Sequence, residues 1–292
     1  ARNLPLLQPL GMYGTRSMGY KNAAASRYIF TTVNNRLTDK LFRKEDEFIL
    51  EYSMDDGERY EPKYYIPVIP YVLCENNELP ATGWKICIYA RRIDDLFKNT
   101  RDMINGKIKK CRKLPPWNKD FRGDVRKVGS NSYYVGAYEY DEKANVINIT
   151  ELPPSKYSYA YCYGSGEAQK KAKKAKSKSK TENNDDNDDD SDDEGKEKNN
   201  AIKLKEWVED INDETSDFIN IQVKLKNGAY EHIKEKYGSE HFDCFEEYFE
   251  LKEAIHDKIN LIDENDAVIE FTNYEDVFNH WFEFRKRLYG VR

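Results

Sequence analysis

The sequence has no apolar run approaching the roughly 18 to 20 residues that a bilayer-crossing helix needs, and its opening, ARNLPLLQPL, lacks the long apolar stretch of a secretory signal. Membrane and secretory readings therefore have no support in it. Its five cysteines (Cys74, Cys87, Cys111, Cys162, Cys244) are odd in number, widely spaced and without a Cys-x-x-Cys pair, which argues against a disulfide framework and a zinc knuckle. The four histidines (His232, His241, His256, His280) lie in the last quarter without metal-type spacing. A P-loop, a GxGxxG turn, a GxSxG elbow and an HExxH helix are all missing, so nucleotide hydrolysis and metalloprotease chemistry have no anchor. No internal repeat is visible at periods of about 20 to 50 residues.

What is abundant is charge. Residues carrying it make up 34% of the 292, against 39% hydrophobic, which is more polar chain than one compact core needs. The excess concentrates in residues 164–201, whose only apolar members are alanines; such a block cannot bury enough surface to offset the entropy of ordering and is expected to be disordered. Seven lysines between Lys170 and Lys180 precede an acidic run from Asp185 to Glu194. A DNA-gripping tract and a cation sink are the sharp readings, and a solvated loop whose halves partly neutralise each other is the plain one. The acidic run is too far in sequence from any candidate nucleophile to serve as a rigid metal site.

The net charge of −6 disfavours a nucleic-acid partner only on average. Residues 1–44 hold eight cations against one anion, a net +7, and residues 91–128 hold thirteen against five, a net +8. Residues 201–292 hold twelve against twenty-two, a net −10. The charge is polarised along the chain, and two basic segments remain available to a polyanion.

Apolar spacing predicts an α+β fold. Ile29, Val33, Leu37 and Leu41 recur every four residues, predicting a helix over about 26–42 with Ser26 as cap and Tyr28 in its first turn. Strands are expected at 47–53, 64–73, 85–90, 131–140 and 145–151, with a helix near 92–105 closed by Gly106. After the low-complexity block come a strand at 217–226, helices near 229–237 and 243–258, a strand at 267–271 and a helix from about 274 to 290.

The stretch that points to chemistry is GMYGTRSMGYKNAAASRYIF, residues 11–30. Gly11, Gly14 and Gly19 permit close backbone approach, and Arg16, Lys21 and Arg27 surround a single tyrosine, Tyr28. An ordinary phenol ionises only at about pH 10 and is a poor nucleophile at neutrality; nearby guanidinium and ammonium groups stabilise negative charge building on a phosphate under attack. The pattern suits transfer of a phosphodiester onto tyrosine. With twenty-two tyrosines in the chain, a packing role for Tyr28 is the competing reading, and Arg and Lys of this kind also occur on ordinary DNA-binding helices.

Several segments in order carry a resemblance: LLQPLGMYGTR, KNAAASRYIF, DDGERYEPKYYIPVIPYVL and ATGW, followed by ITELP at 149–153 and FEFRKRLYGVR at 282–292. Together they resemble the breakage-reunion region of type IIA DNA topoisomerases, in the eukaryotic and large-virus topoisomerase II branch. The resemblance implies a partial winged-helix domain (1–57), a mixed α/β tower domain in two parts (58–163 and 202–272) flanking the 164–201 insertion, and the start of a coiled-coil helix (273–292). It implies that Tyr28 attacks the DNA backbone to form a 5′-phosphotyrosyl intermediate, that Arg27 holds the scissile phosphate, and that Arg16, Lys21 and Arg36 contact DNA beside the break. The family's wedge isoleucine falls at Pro80, with Leu79 before it, in CENNELPATGW; inserted Pro or Leu can unstack a base step and kink DNA, while a loop-stiffening proline is the plainer reading. Arg91, Arg92, Lys107, Lys109 and Lys110 lie where the tower would cradle the duplex arms.

The resemblance further implies double-stranded DNA as partner, a homodimer that cuts both strands, and Mg2+ and ATP held by modules this sequence does not contain, so that this chain alone is expected to be inactive. It suggests an intracellular site of action, in a viral factory, virion or nucleus, and the departures at the wedge loop together with the low-complexity insertion suggest a large DNA virus of a eukaryotic host as the source. The alternatives are a non-catalytic DNA-bending module and a gyrase-type or phage cleavage subunit.

Overall fold

The computed structural model describes residues 3–81, 83–164 and 201–291, which form fifteen strands, six α-helices and several 3-10 turns around two apolar cores. The first core belongs to a four-stranded antiparallel sheet ordered β11 (Val208–Asp213), β12 (Ile221–Leu225), β10 (Val146–Glu151), β9 (Ala137–Asp141). Period-two patterning builds it. Ile221, Val223 and Leu225 are buried while Gln222 and Lys224 face water, and Ile147 and Ile149 pair in register with Val223 and Ile221. The buried face is capped by α3 (Ser158–Tyr163), α4 (Ala229–Lys236) and α5 (Cys244–Tyr248) through Tyr161, Ile233, Phe245 and Tyr248. Each such side chain contributes about 1.5–3 kcal/mol on leaving water.

A three-stranded sheet, β13 (Lys252–Ile255), β8 (Asn131–Val135), β7 (Asp124–Val128), stands beside it. The chain passes from β8 into β9 through Gly136, whose N–H donates to the Leu251 carbonyl at 2.6 Å. The second core gathers Leu41, Ile69, Leu73, Ile88, Leu96, Met103, Ile259, Val277 and Phe278. Those residues come from α1 (Asn35–Leu41), from the irregular segment holding Ile69 and Leu73, from β6 (Trp84–Ile88), α2 (Ile93–Ile104) and β14 (Ile259–Ile262), and from the long α6 (Tyr274–Val291). On α2, buried Leu96, Asn99, Thr100 and Met103 line one face while Arg92, Lys98 and Arg101 stay exposed. Residues from both sides of position 57 thus share one core.

The expected helix over 26–42 is replaced. Ser26–Tyr28 form a single 3-10 turn, Phe30–Val33 form β2 against β1 (Leu7–Leu10), and only Asn35–Leu41 is α-helical. The β-branched run Thr31-Thr32-Val33 favours the strand, and pairing with β1 overrides the four-residue spacing. The strand expected at 64–73 is absent, since Pro67 and Pro70 cannot donate to a ladder; the segment instead buries Ile66, Ile69 and Leu73 and ends in a 3-10 turn. Residues 44–49 likewise form a 3-10 turn rather than a strand. The helix expected over 243–258 stops at Tyr248, because Glu250 takes a positive φ of 54° and 252–255 pair with β8. The Lys/Asp-rich segment, apart from Gly164 and Ala201, lies outside the described residues. Among the described residues no helix is long and apolar enough to cross a membrane.

Candidate tyrosine site and nucleic-acid interface

Tyr28 ends the short turn that follows the Gly11–Ala25 loop, and its side chain is 64% exposed, in contrast to the packing tyrosines Tyr134 and Tyr161. The Arg27 guanidinium carbon lies 5.0 Å from the Tyr28 ring centroid, within cation–π reach. Lys21 and Arg36 are exposed on the same N-terminal region. The Tyr28 ring and the Arg27 guanidinium thus stand side by side on an open surface, within reach of a polymer that no pocket would admit.

The loop that carries Tyr28 is braced from within. Thr15 and Gly19 exchange backbone hydrogen bonds of 3.1 and 2.8 Å, Asn22 Nδ2 donates to Thr15 Oγ1 at 3.0 Å, and Ala24 N–H donates to the Met12 carbonyl at 2.9 Å. Gly14 faces Gly19 so closely that a Cβ would stand 2.3 Å from the Gly19 carbonyl oxygen. Gly11 approaches the Tyr28 carbonyl in the same way, at 2.9 Å for a Cβ, and the Tyr13 hydroxyl donates to the Phe30 carbonyl at 2.9 Å.

It is also docked on the four-stranded sheet. Arg16 Nη1 donates to the Lys156 carbonyl at 2.5 Å, and Nη2 donates to Glu151 Oε1 and to the Leu152 carbonyl, both at 3.1 Å. Tyr159 N–H donates to the Ser17 carbonyl at 3.0 Å, and Ser158 Oγ lies 3.2 Å from Ser17 Oγ and 2.8 Å from Asp213 Oδ2. Gly19 lies on the Tyr157 ring, where a Cβ would come within 2.6 Å. Arg16 was expected at DNA; its guanidinium is instead engaged within the chain. Burial pushes the Lys156 ammonium below its ordinary range, with Glu250 and Glu253 opposing the shift.

The wedge candidates stand on a hairpin. β5 (Asn77–Ala81) pairs with β6 so that Leu79 opposes Ile86 and Pro80 opposes Lys85. Leu79 is 58% exposed and Trp84, near the hairpin end, is also exposed. Its β6 strand is held by reciprocal backbone bonds between Cys87 and Lys258 near the root and by Asn260 Nδ2 donating to the Lys85 carbonyl at 2.8 Å nearer the tip. A rigid base with apolar side chains outward is what a stacking wedge requires.

Of the five cations expected to cradle the duplex arms, four reach the surface. Arg92 caps α2 and lies 3.7 Å from Asp94, Lys107 lies 4.0 Å from Asp102, and Lys109 and Lys110 follow on an exposed connection. Arg91 departs from expectation. It is 2% exposed, pairs with Asp257 at 2.5 Å, donates to the Tyr89 carbonyl at 2.7 Å and lies 4.1 Å from the Tyr274 ring centroid, so it organises the second core and cannot contact DNA. Nothing in the sequence separates Arg91 from Arg92, because the acid that buries the first lies 166 residues away. Reasoning from sequence also left out Glu151, Tyr157, Ser158 and Lys156, whose roles arise only where distant segments meet.

Among the described residues no three His, Cys, Asp or Glu side chains converge as a metal site, and the Asp185–Glu194 run lies outside those residues. The described residues thus offer no carboxylate set that fits Mg2+.

The family model for the DNA gyrase/topoisomerase IV A-subunit matches residues 1–292. DNA topoisomerase 2 of African swine fever virus (strain Badajoz 1971 Vero-adapted) is 29% identical over 302 aligned residues, covering 99% of this chain and 23% of the relative. DNA topoisomerase 2-beta of Gallus gallus is 39% identical over 153 residues, covering 52% of this chain and 9% of the relative. The chain thus spans less than a quarter of the length of these relatives. In fold it is similar to the DNA-binding, cleavage and re-ligation domain of Plasmodium falciparum topoisomerase II, with a TM-score of 0.75 at 24% identity, over 100% of this chain and 34% of that one.

Proposed function

Because the chain belongs to the DNA gyrase/topoisomerase IV A-subunit family, we propose that it is the tyrosine-bearing section of a type II DNA topoisomerase. Tyr28 Oη gives up its proton to solvent as it attacks a backbone phosphorus; the bond to the 3′ oxygen breaks, that oxygen takes up a proton from solvent, and the 5′ phosphate stays on tyrosine. Religation reverses the step, with the 3′ hydroxyl displacing Tyr28. Arg27 offsets the charge gathering on the phosphate. Lys21, Arg36, Arg92, Lys107, Lys109 and Lys110 supply sequence-independent attraction to the duplex, and Leu79 with Pro80 enters a base step to bend it.

One tyrosine per chain cuts one strand, so a double-strand break requires two copies, and a homodimer is the simplest assembly. ATP and Mg2+ would be held by segments beyond these residues, α6 would lead into the coiled-coil gate, and the isolated chain would not relax DNA. The viral relative aligns over nearly the whole chain and the avian one over about half, which supports a large-DNA-virus origin and action in a viral factory over a host nuclear one.

The single observation that carries this reading is the exposed Tyr28 with Arg27 against it on a loop locked to the fold. In the full-length enzyme with DNA, Tyr28→Phe should abolish the covalent protein–DNA adduct while leaving DNA binding intact. An adduct persisting in the Phe variant would overturn the assignment.

A further inference from the structure

We propose that Arg16 and Glu151 are a positioning pair that sets Tyr28 by docking its loop on the four-stranded sheet, rather than Arg16 acting on the DNA phosphate. The inference rests on the reading of Tyr28 as nucleophile. The Arg16 side chain is 22% exposed and that of Glu151 6% exposed, so the ion pair faces into the protein. Three protein acceptors engage the guanidinium: a carboxylate oxygen and the carbonyls of Leu152 and Lys156. Glu151 is itself held, since its other oxygen accepts from Arg122 N–H at 3.2 Å and Oε1 accepts from Leu152 N–H at 2.9 Å. A planar guanidinium serving three acceptors in fixed directions fixes orientation as well as distance, which an ammonium cannot do.

From that anchor the path to the nucleophile is continuous. Arg16 adjoins Thr15, which is bonded to Gly19 and Asn22; Ala24 is bonded to Met12; and Gly11, next to Met12, lies against the Tyr28 carbonyl. Ser17 and Gly19 add contacts to Tyr159, Ser158 and Tyr157. The sheet, and not the loop alone, therefore decides where Tyr28 Oη stands, and a displacement of about 1 Å at a reacting atom costs on the order of 100-fold in rate.

The test uses Arg16→Lys, Glu151→Gln and the double variant in the full-length enzyme, with single-turnover cleavage, DNA affinity against salt, and amide hydrogen exchange over residues 12–24. Each single variant should lower the cleavage rate constant on the order of 100-fold, and the double variant should lose no more than the worse single one, because both remove the same anchor. DNA affinity should stay within about twofold with its salt slope unchanged, and exchange over 12–24 should quicken about tenfold. A phosphate-contact role would instead reduce the salt slope by about one in the Arg16 variant and leave Glu151→Gln cleaving normally; that pattern overturns the proposal. Unchanged exchange over 12–24 in both variants overturns it as well. Should the parent enzyme form no Tyr28 adduct, the proposed function falls, while the docking stands or falls on the exchange alone.

Discussion

Gly14→Ala is the sharpest perturbation of the tyrosine loop. The new Cβ would stand 2.3 Å from the Gly19 carbonyl oxygen, 2.8 Å from its carbon and 3.2 Å from Tyr20 N, whereas ordinary contact begins at 3.4 Å. The two backbone segments must therefore part by about 1 Å. Parting them breaks the reciprocal Thr15–Gly19 bonds, at about 1 kcal/mol each, and the φ of +135° at Gly14 adds about 1 kcal/mol of strain for a residue with a Cβ. Tyr28 lies downstream of this junction, so single-turnover formation of the covalent adduct in the full-length enzyme should fall on the order of 100-fold with little change in DNA affinity. Gly57→Ala is the control. Gly57 also has a positive φ, +85°, but a Cβ there meets nothing within 4 Å, so strain is added without displacement and cleavage should stay within about twofold. A Gly14 variant that cleaves like the parent, or equal losses in both variants, would refute the idea that close approach at Gly14 places the nucleophile.

Three further outcomes follow from the packing and charge. Leu79→Ala should change folding stability by less than about 0.5 kcal/mol, because the side chain is exposed, yet reduce DNA bending measured by end-to-end energy transfer. Asp257→Asn leaves Arg91 buried without its anion and should cost about 3 kcal/mol, read as a lower urea midpoint. Burial acts to raise Glu264, but a backbone hydrogen bond, Arg287 and His280 together hold it below the usual carboxylate value of 4.5. Its folded-state value being depressed, the stabilisation is present above about pH 4.5 and is lost as pH falls through the folded value. Glu264→Gln should accordingly flatten the acid limb of the stability profile, and an unchanged limb would show that the carboxylate contributes nothing there.

Local pattern was enough to read α2, α4 and α6. In α2 the apolar spacing, the exposed cations and Gly106 at φ +68° all agree with the helix. The pattern misled where a distant partner decides. Phe30–Val33 is a strand because Leu7–Leu10 is there to pair with it, and residues 252–255 leave the helix before them because β8 offers an edge. The basic segments were legible as basic, but sign of charge does not say which cation is free. Arg91 and Arg16 were grouped with DNA-facing residues, and each is taken by an acid more than 130 residues away. The motif singles out Tyr28 as a candidate, while the residues that hold its loop, Glu151, Tyr157 and Ser158, belong to a segment whose relation to it exists only after folding.

The helix α3 that supports the tyrosine loop and the 3-10 turn at Ile202–Leu204 pack in the same core, through Tyr161, Cys162 and Ile202, and Lys203 reaches over the Tyr163 ring at 5.5 Å. The two described elements on either side of residues 165–200 thus share one core. Lengthening a flexible connection between two such fixed ends costs only about 0.6 kcal/mol for each doubling of its length. A fluorescent reporter spliced between Gly164 and Ala201 is therefore expected to leave both flanking elements, and the loop that α3 supports, in place.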